Sequence, residues 1–309
     1  MRKQPILHTA IILGVLLAAL SLLFLPIWPW KGLLSDETLN LGHLPLFGLV
    51  AYLLLLLMRR KHGPGKGAFI GSLLGGLFLA AASEFAQTYT RRNADLRDFF
   101  HDVLGLVLVL GGVYVYRRRR LALTALYAVF ALTSLGLALS PVTRLVLAAP
   151  KLVQAFPSLG SFEASWELAY WRAVGRSRVV RSQQVSSEGK WSLRVLCRPS
   201  PYPGTQITGF PKDWSSYRAL RFDVYVPGSD TLKLYLRIDD RAVSGSRRHS
   251  LTRSYMLRPG WNKETLPMDD LAQAFGRAPG NVGRGIFFLA DPKRSATFHL
   301  DNVALQWCP

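Results

Sequence analysis

Residues 41–58, LGHLPLFGLVAYLLLLLM, contain no Asp, Glu, Lys or Arg and a single histidine, His43. A helix of that length crosses about 30 Å of hydrocarbon. Further long apolar runs, two of them interrupted by a single acidic residue (Glu84, Asp102), lie at about 9–27, 68–88, 99–116 and 121–140, which predicts an N-terminal α-helical bundle of five transmembrane helices. Beyond residue 158 the long runs give way to alternation, clearest in Leu232-Lys233-Leu234-Tyr235-Leu236-Arg237-Ile238. A period of two predicts strands with one buried face. The chain therefore reads as a multi-domain membrane protein. Its expected parts are a bundle over 1–141, an interfacial linker over 142–157 interrupted by Pro150 and Pro157, and an all-β jelly-roll sandwich over 158–309.

Strand-like runs at 192–197, 219–226, 231–238, 253–257, 285–289 and 297–305 are separated by turn signals such as Pro227-Gly228 and Pro259-Gly260, and 268–275 suggests a short helix. With 309 residues, half of them apolar, the chain is long enough for two domains and too apolar to be disordered. The net charge of +19 is split almost evenly between the halves, which argues against a basic nucleic-acid-binding domain. In the first half, Arg2, Lys3, Arg59, Arg60, Lys61, Lys66 and Arg117 to Arg120 fall in alternate connections. The excess of basic residues in cytoplasmic loops then puts the N-terminus in the cytoplasm and the second half in the periplasm or outside the cell, on a bacterial cytoplasmic membrane crossed several times. Trp28 and Trp30 suit the outer interface. Cys197 and Cys308 either form one disulfide or are two thiols, and neither has metal-site spacing.

Ionisable groups inside or at the edge of a membrane are costly and are functional candidates by default. Asp36, His43, Glu84, Gln87, Arg92, Asp95, Asp98 and Asp102 all fall near the two outer loops of this topology. Glu84 with Gln87, and Asp98 with Asp102, each share a helix face, and Gly105 continues the second face with a surface that permits close approach. Either these groups form a site for a cation or for the polar head of a lipid or glycan, or they lock the helices together as a salt-bridge network.

Over roughly residues 30 to 115 this pattern resembles the VanZ-like membrane protein family. The resemblance rests on Asp36 ahead of His43 at the start of an apolar helix, and on Glu-x-x-Gln at Glu84 and Gln87 ending another. Arg92, Asp95, Asp98, Asp102 and Gly105 continue it in order. Asp102 replaces the family's usual Asn, and Thr90-Arg91 stands where Pro-Gly is expected. The family is named for a protein that lowers susceptibility to teicoplanin, and most members have no established reaction. The resemblance implies a cell-envelope membrane protein.

The second half resembles the galactose-binding-like, carbohydrate-binding-module type of β-sandwich. The matching stretches are Ser161-Phe162-Glu163, residues 188–195 (EGKWSLRV), residues 213–225 (DWSSYRALRFDVY), Gly260-Trp261-Asn262 and residues 298–303 (FHLDNV). The resemblance implies a structural calcium as candidate cofactor, with Glu163 and Asp301 as its candidate ligands. Sugars pack their C–H faces on aromatic rings and their hydroxyls on planar polar groups. Tyr235, Arg237, Asp239, Tyr255 and Trp261 are the candidate glycan-binding residues, expected on one concave face. The whole reads as a non-enzymatic envelope protein. Its expected partners are membrane lipid and a cell-wall or extracellular polysaccharide or lipid-linked glycan, with no nucleic acid. The alternative is a membrane enzyme acting on a lipid-linked envelope precursor through the outer-face carboxylate and histidine cluster.

Overall fold

The computed structural model describes residues 3–21, 32–87, 96–211, 213–239, 250–276 and 285–307, so Trp28, Trp30, Arg92, Asp95 and Cys308 lie outside the described residues. The chain divides into two compact units, Met1–Thr143 and Arg144–Pro309.

Five helices come first: α1 (Lys3–Ser21), α2 (Leu33–His62), α3 (Lys66–Gln87), α4 (Leu96–Arg118) and α5 (Leu121–Ala155). By length and composition α2 to α5 could each cross a membrane, whereas the apolar part described for α1, His8–Ser21, is shorter. The expected start of α2 at residue 41 is too late, because its first turns carry Asp36 and Glu37. Acidic groups favour a helix N-terminus, and Arg59, Arg60 and Lys61 suit its C-terminus. The missing N–H of Pro45 does not end the helix.

Leu16, Phe47, Val50, Ala51, Leu55, Leu106 and Leu110 form the core of the first unit. Small residues set how closely its helices approach. A Cβ on Gly105 of α4 would strike the backbone of Leu44 and Gly48 in α2, and one on Gly76 of α3 would strike Leu106. The small face of α3 thus packs inside this unit, with Gly71 against Met58 and Gly75 against Leu54. Large apolar side chains are left outside, among them Leu17, Phe78, Phe100, Leu132 and Leu137.

The expected linker over 142–157 is instead helical, since α5 continues through Pro141 and Pro150 to Ala155. Leu145, Ala148 and Leu152 recur at helical spacing and are buried, and burial of that stripe outweighs the hydrogen bond lost at Pro150.

The rest of the second unit is an antiparallel β-sandwich. Its strands are β1 (Ser158–Gly160), β2 (Trp171–Val174), β3 (Ser177–Ser182), β4 (Ser192–Cys197), β5 (Gly204–Ile207), β6 (Tyr217–Val226), β7 (Leu232–Asp239), β8 (Ser250–Leu257), β9 (Gly260–Pro267), β10 (Gly285–Leu289) and β11 (Ala296–Trp307). One sheet runs β3-β4-β11-β6-β9, with β1 also paired to β11, and the other runs β2-β5-β10-β7-β8. Between them Phe222 of β6 packs edge-on against Phe288 of β10 (5.2 Å between centroids) and Tyr255 of β8 (5.4 Å). Trp171 lies between Phe162 and Phe288 and donates its indole N–H to the Leu159 carbonyl at 3.0 Å. Helix α6 (Met268–Phe275) buries Met268, Leu271 and Phe275 and stops at Gly276, whose φ of 65° a side chain would disfavour.

Candidate functional site

In the first unit, the close passage of Leu44 and Gly48 against Gly105 brings the preceding turn of α4 to His43. His43 Nδ1 lies 2.8 Å from Asp102 Oδ1, a hydrogen bond in which the ring N–H donates to the carboxylate. His43 Nε2 is 3.8 Å from Asp98 Oδ2. One potential ligand atom from each of His43, Asp102 and Glu84 of α3 lies within 4.8 Å of the other two. His43, Asp98 and Asp102 are buried, with Asp102 fully so, and Glu84 is half-buried. Asp102 Oδ2 is buried without a hydrogen-bond partner among the described residues.

Of the sequence candidates, His43, Glu84, Asp98 and Asp102 therefore converge. Gln87 is buried at the end of α3, whereas the side chain of Asp36 is exposed. Asp36 is linked to the group through its backbone. With its amide oriented to suit its neighbours, Asn40 donates to Asp98 Oδ1 at 3.2 Å and to the Asp36 carbonyl at 3.1 Å. Sequence reasoning missed Asn40 and also Glu37, which is buried with a carboxylate oxygen 4.0 Å from Arg97. The spacing of Glu37, Asn40 and His43 by threes was a signal that could have found both.

In the sandwich, strand register decides which candidates share a surface. Tyr235, Arg237 and Asp239 alternate with the buried Leu234, Leu236 and Ile238 and lie on the outer face of the β2-β5-β10-β7-β8 sheet. Arg237 Nε donates to Asp239 Oδ1 at 2.7 Å, and Lys233 Nζ sits 5.2 Å from the centre of the Tyr235 ring. The expectation of one face for all five glycan candidates fails at the other two. Tyr255 is paired with Leu234, so its side chain points into the core, where burial pushes its phenol up to about 12. Trp261 belongs to the other sheet, beside Tyr225 at 5.4 Å.

The register also adds residues that sequence did not single out. Arg172, Gln206, Phe287 and Arg237 are paired in turn across β2, β5, β10 and β7, and all four are half-buried. Planar polar groups and a phenyl ring thus form one row beside Tyr235.

The two calcium candidates are engaged by the backbone. Glu163 Oε1 accepts the N–H groups of Lys190 and Trp191, each at 2.8 Å. Asp301 Oδ2 accepts those of Ser187 (2.7 Å) and Glu188 (3.4 Å), and Oδ1 accepts that of Asn302. Burial nevertheless pushes the Asp301 carboxyl up from its ordinary value. Burial likewise raises the Cys197 thiol.

No family model matches the chain, and no curated protein matches it. Solved structures similar to the β-sandwich include a family 11 carbohydrate-binding module of a cellulosomal cellulase from Clostridium thermocellum. It is 19% identical, covers 49% of this chain and 94% of that one, and has a TM-score of 0.37. Another family 11 module from that organism, in complex with a β-1,3-1,4-mixed-linked tetrasaccharide, is 17% identical over 49% of this chain and 95% of its own, with a TM-score of 0.40. A xylan-binding domain from Paenibacillus barcinonensis is 16% identical over 48% and 94%, with a TM-score of 0.36.

Proposed function

We propose that this chain is an integral membrane protein of the bacterial envelope whose β-sandwich binds a saccharide on the outer face of the β2-β5-β10-β7-β8 sheet. The observation that carries this reading is the row Arg172, Gln206, Phe287 and Arg237, flanked by Tyr235 and Asp239. Guanidinium, amide and carboxylate groups match pairs of sugar hydroxyls, and the rings match the C–H face between them. The helices are its anchor, VanZ-like in the order of the polar residues of α2 to α4, with the N-terminus in the cytoplasm and the sandwich outside. Basic residues of the inner loops and the apolar surfaces of α2 to α5 support that placement.

The test is titration of the full-length protein in nanodiscs with a panel of cell-wall and extracellular polysaccharides. Saturable binding is expected, weakened at least about tenfold by Arg237→Ala or Tyr235→Ala, which corresponds to about 1.4 kcal/mol. Trp261→Ala, on the other sheet, leaves it unchanged. No binding to any polymer, or equal binding by all variants, would contradict the reading.

A further inference from the structure

We propose that His43, Glu84 and Asp102 hold a divalent transition-metal ion between α2, α3 and α4. This inference stands on the helical unit alone and is independent of saccharide binding by the sandwich.

Two observations carry it. Potential ligand atoms of the three side chains lie within 4.8 Å of one another, so an ion among them needs only small side-chain rotations to reach bonds of about 2.0–2.2 Å. The 2.8 Å hydrogen bond between His43 Nδ1 and Asp102 Oδ1 would open only to the separation of adjacent tetrahedral ligands, about 3.3–3.6 Å for bonds of that length. Finally, Asp102 is fully buried, with Oδ2 lacking a hydrogen-bond partner among the described residues. A buried polar atom left in that state is costly, and a metal bond would satisfy it.

The donor set narrows the class of ion. An imidazole with two carboxylates suits zinc or a neighbouring first-row ion better than calcium or magnesium, which take oxygen ligands. Binding at Nδ1 moves the ring proton to Nε2, on the side of Asp98, and because protons compete with the metal for all three ligands the affinity weakens as the pH falls. Asp98, 3.8 Å from His43 Nε2, steadies the ring from its other side.

The experiment uses the full-length protein in detergent, stripped with chelator and titrated with zinc chloride, then with cobalt(II) to read ligand-field absorption in the visible. One equivalent per chain is expected, with a cobalt spectrum. His43→Ala and Asp102→Asn should weaken zinc binding by at least about tenfold and abolish the spectrum. Glu84→Gln, half-buried and nearly isosteric, provides the same test in a protein that keeps its helix content. Thr38→Ala, exposed on α2 with its hydroxyl donated to the Leu34 carbonyl, should bind as the parent does. Failure of the parent to take up stoichiometric zinc or cobalt would overturn the proposal. So would unchanged binding in a folded Glu84→Gln variant.

Discussion

The helical unit and the sandwich distribute the same residue types in opposite ways. Around the helices Leu17, Phe78, Leu132 and Leu137 are exposed, while His43, Asp98 and Asp102 are buried. In the sandwich Trp171, Phe222 and Phe288 are inside, while Arg237 and Asp239 lie on an outer face. The first arrangement suits hydrocarbon as the solvent and the second suits water. Position relative to the solvent, more than residue type, therefore separates a framework residue from a candidate site residue. An inward polar group in the helices and an outward planar one on the sheet are the groups to test.

The largest effect is expected where the sandwich core is emptied. Trp171→Ala removes a ring held between Phe162 and Phe288 and should destabilise the sandwich by about 3–5 kcal/mol, read from its denaturant midpoint. A loss below about 1 kcal/mol would mean that this interior is not the tight aromatic layer described.

Acid should sharpen the contrast from the polar side. Burial, with Arg194 nearby, pushes the His299 imidazole down to about 4, so it is neutral in the folded state. The unfolded chain binds that proton near the ordinary value of about 6.5, hence stability is lost as the pH falls from about 6.5 to 4 and is unaffected by this group above that window. The contribution reaches about 3 kcal/mol and should vanish in His299→Gln. Asp301 works in the opposite direction, because its raised carboxyl takes up a proton more readily when folded. The difference between parent and His299→Gln profiles isolates the histidine.

Helix contact gives a middling effect. Gly105→Val drives side-chain atoms into the Leu44 backbone and should cost about 1–3 kcal/mol in thermal unfolding of the solubilised protein. Gly136→Ala, with open space around its Cα, should be neutral or slightly stabilising. The smallest effect belongs to Tyr255→Phe, which removes a buried hydroxyl that has no hydrogen-bond partner among the described residues. Stability should change by less than about 1 kcal/mol, with no loss in saccharide titrations.

Legibility in the sequence followed the strength of each periodic pattern. The alternation of residues 232–238 identifies β7 and its outward side chains without ambiguity, and it places Tyr235 and Arg237 correctly. Short strands such as β2 and β5 offer only four residues each, too few to show a period, so Arg172 and Gln206 emerged only from the register. Tyr255 was misplaced because β8 presents serines and a threonine outward and its alternation is weak. Pro150 gave a false stop within α5, since a local break signal says nothing of the buried stripe around it. In the helical unit the polar residues were visible as exceptions in apolar runs. Which of them meet was set by the Gly105 crossing, a tertiary feature.

Hydrogen exchange of the full-length protein in nanodiscs, with and without a polysaccharide that binds it, tests the division of roles between the two regions most directly. Protection should appear in 204–207, 232–239 and 285–289, the strands that carry the outward row, and should leave 260–267 and the helices unchanged. Protection centred on 260–267 or on α2 to α4, with none in β5, β7 and β10, would contradict it.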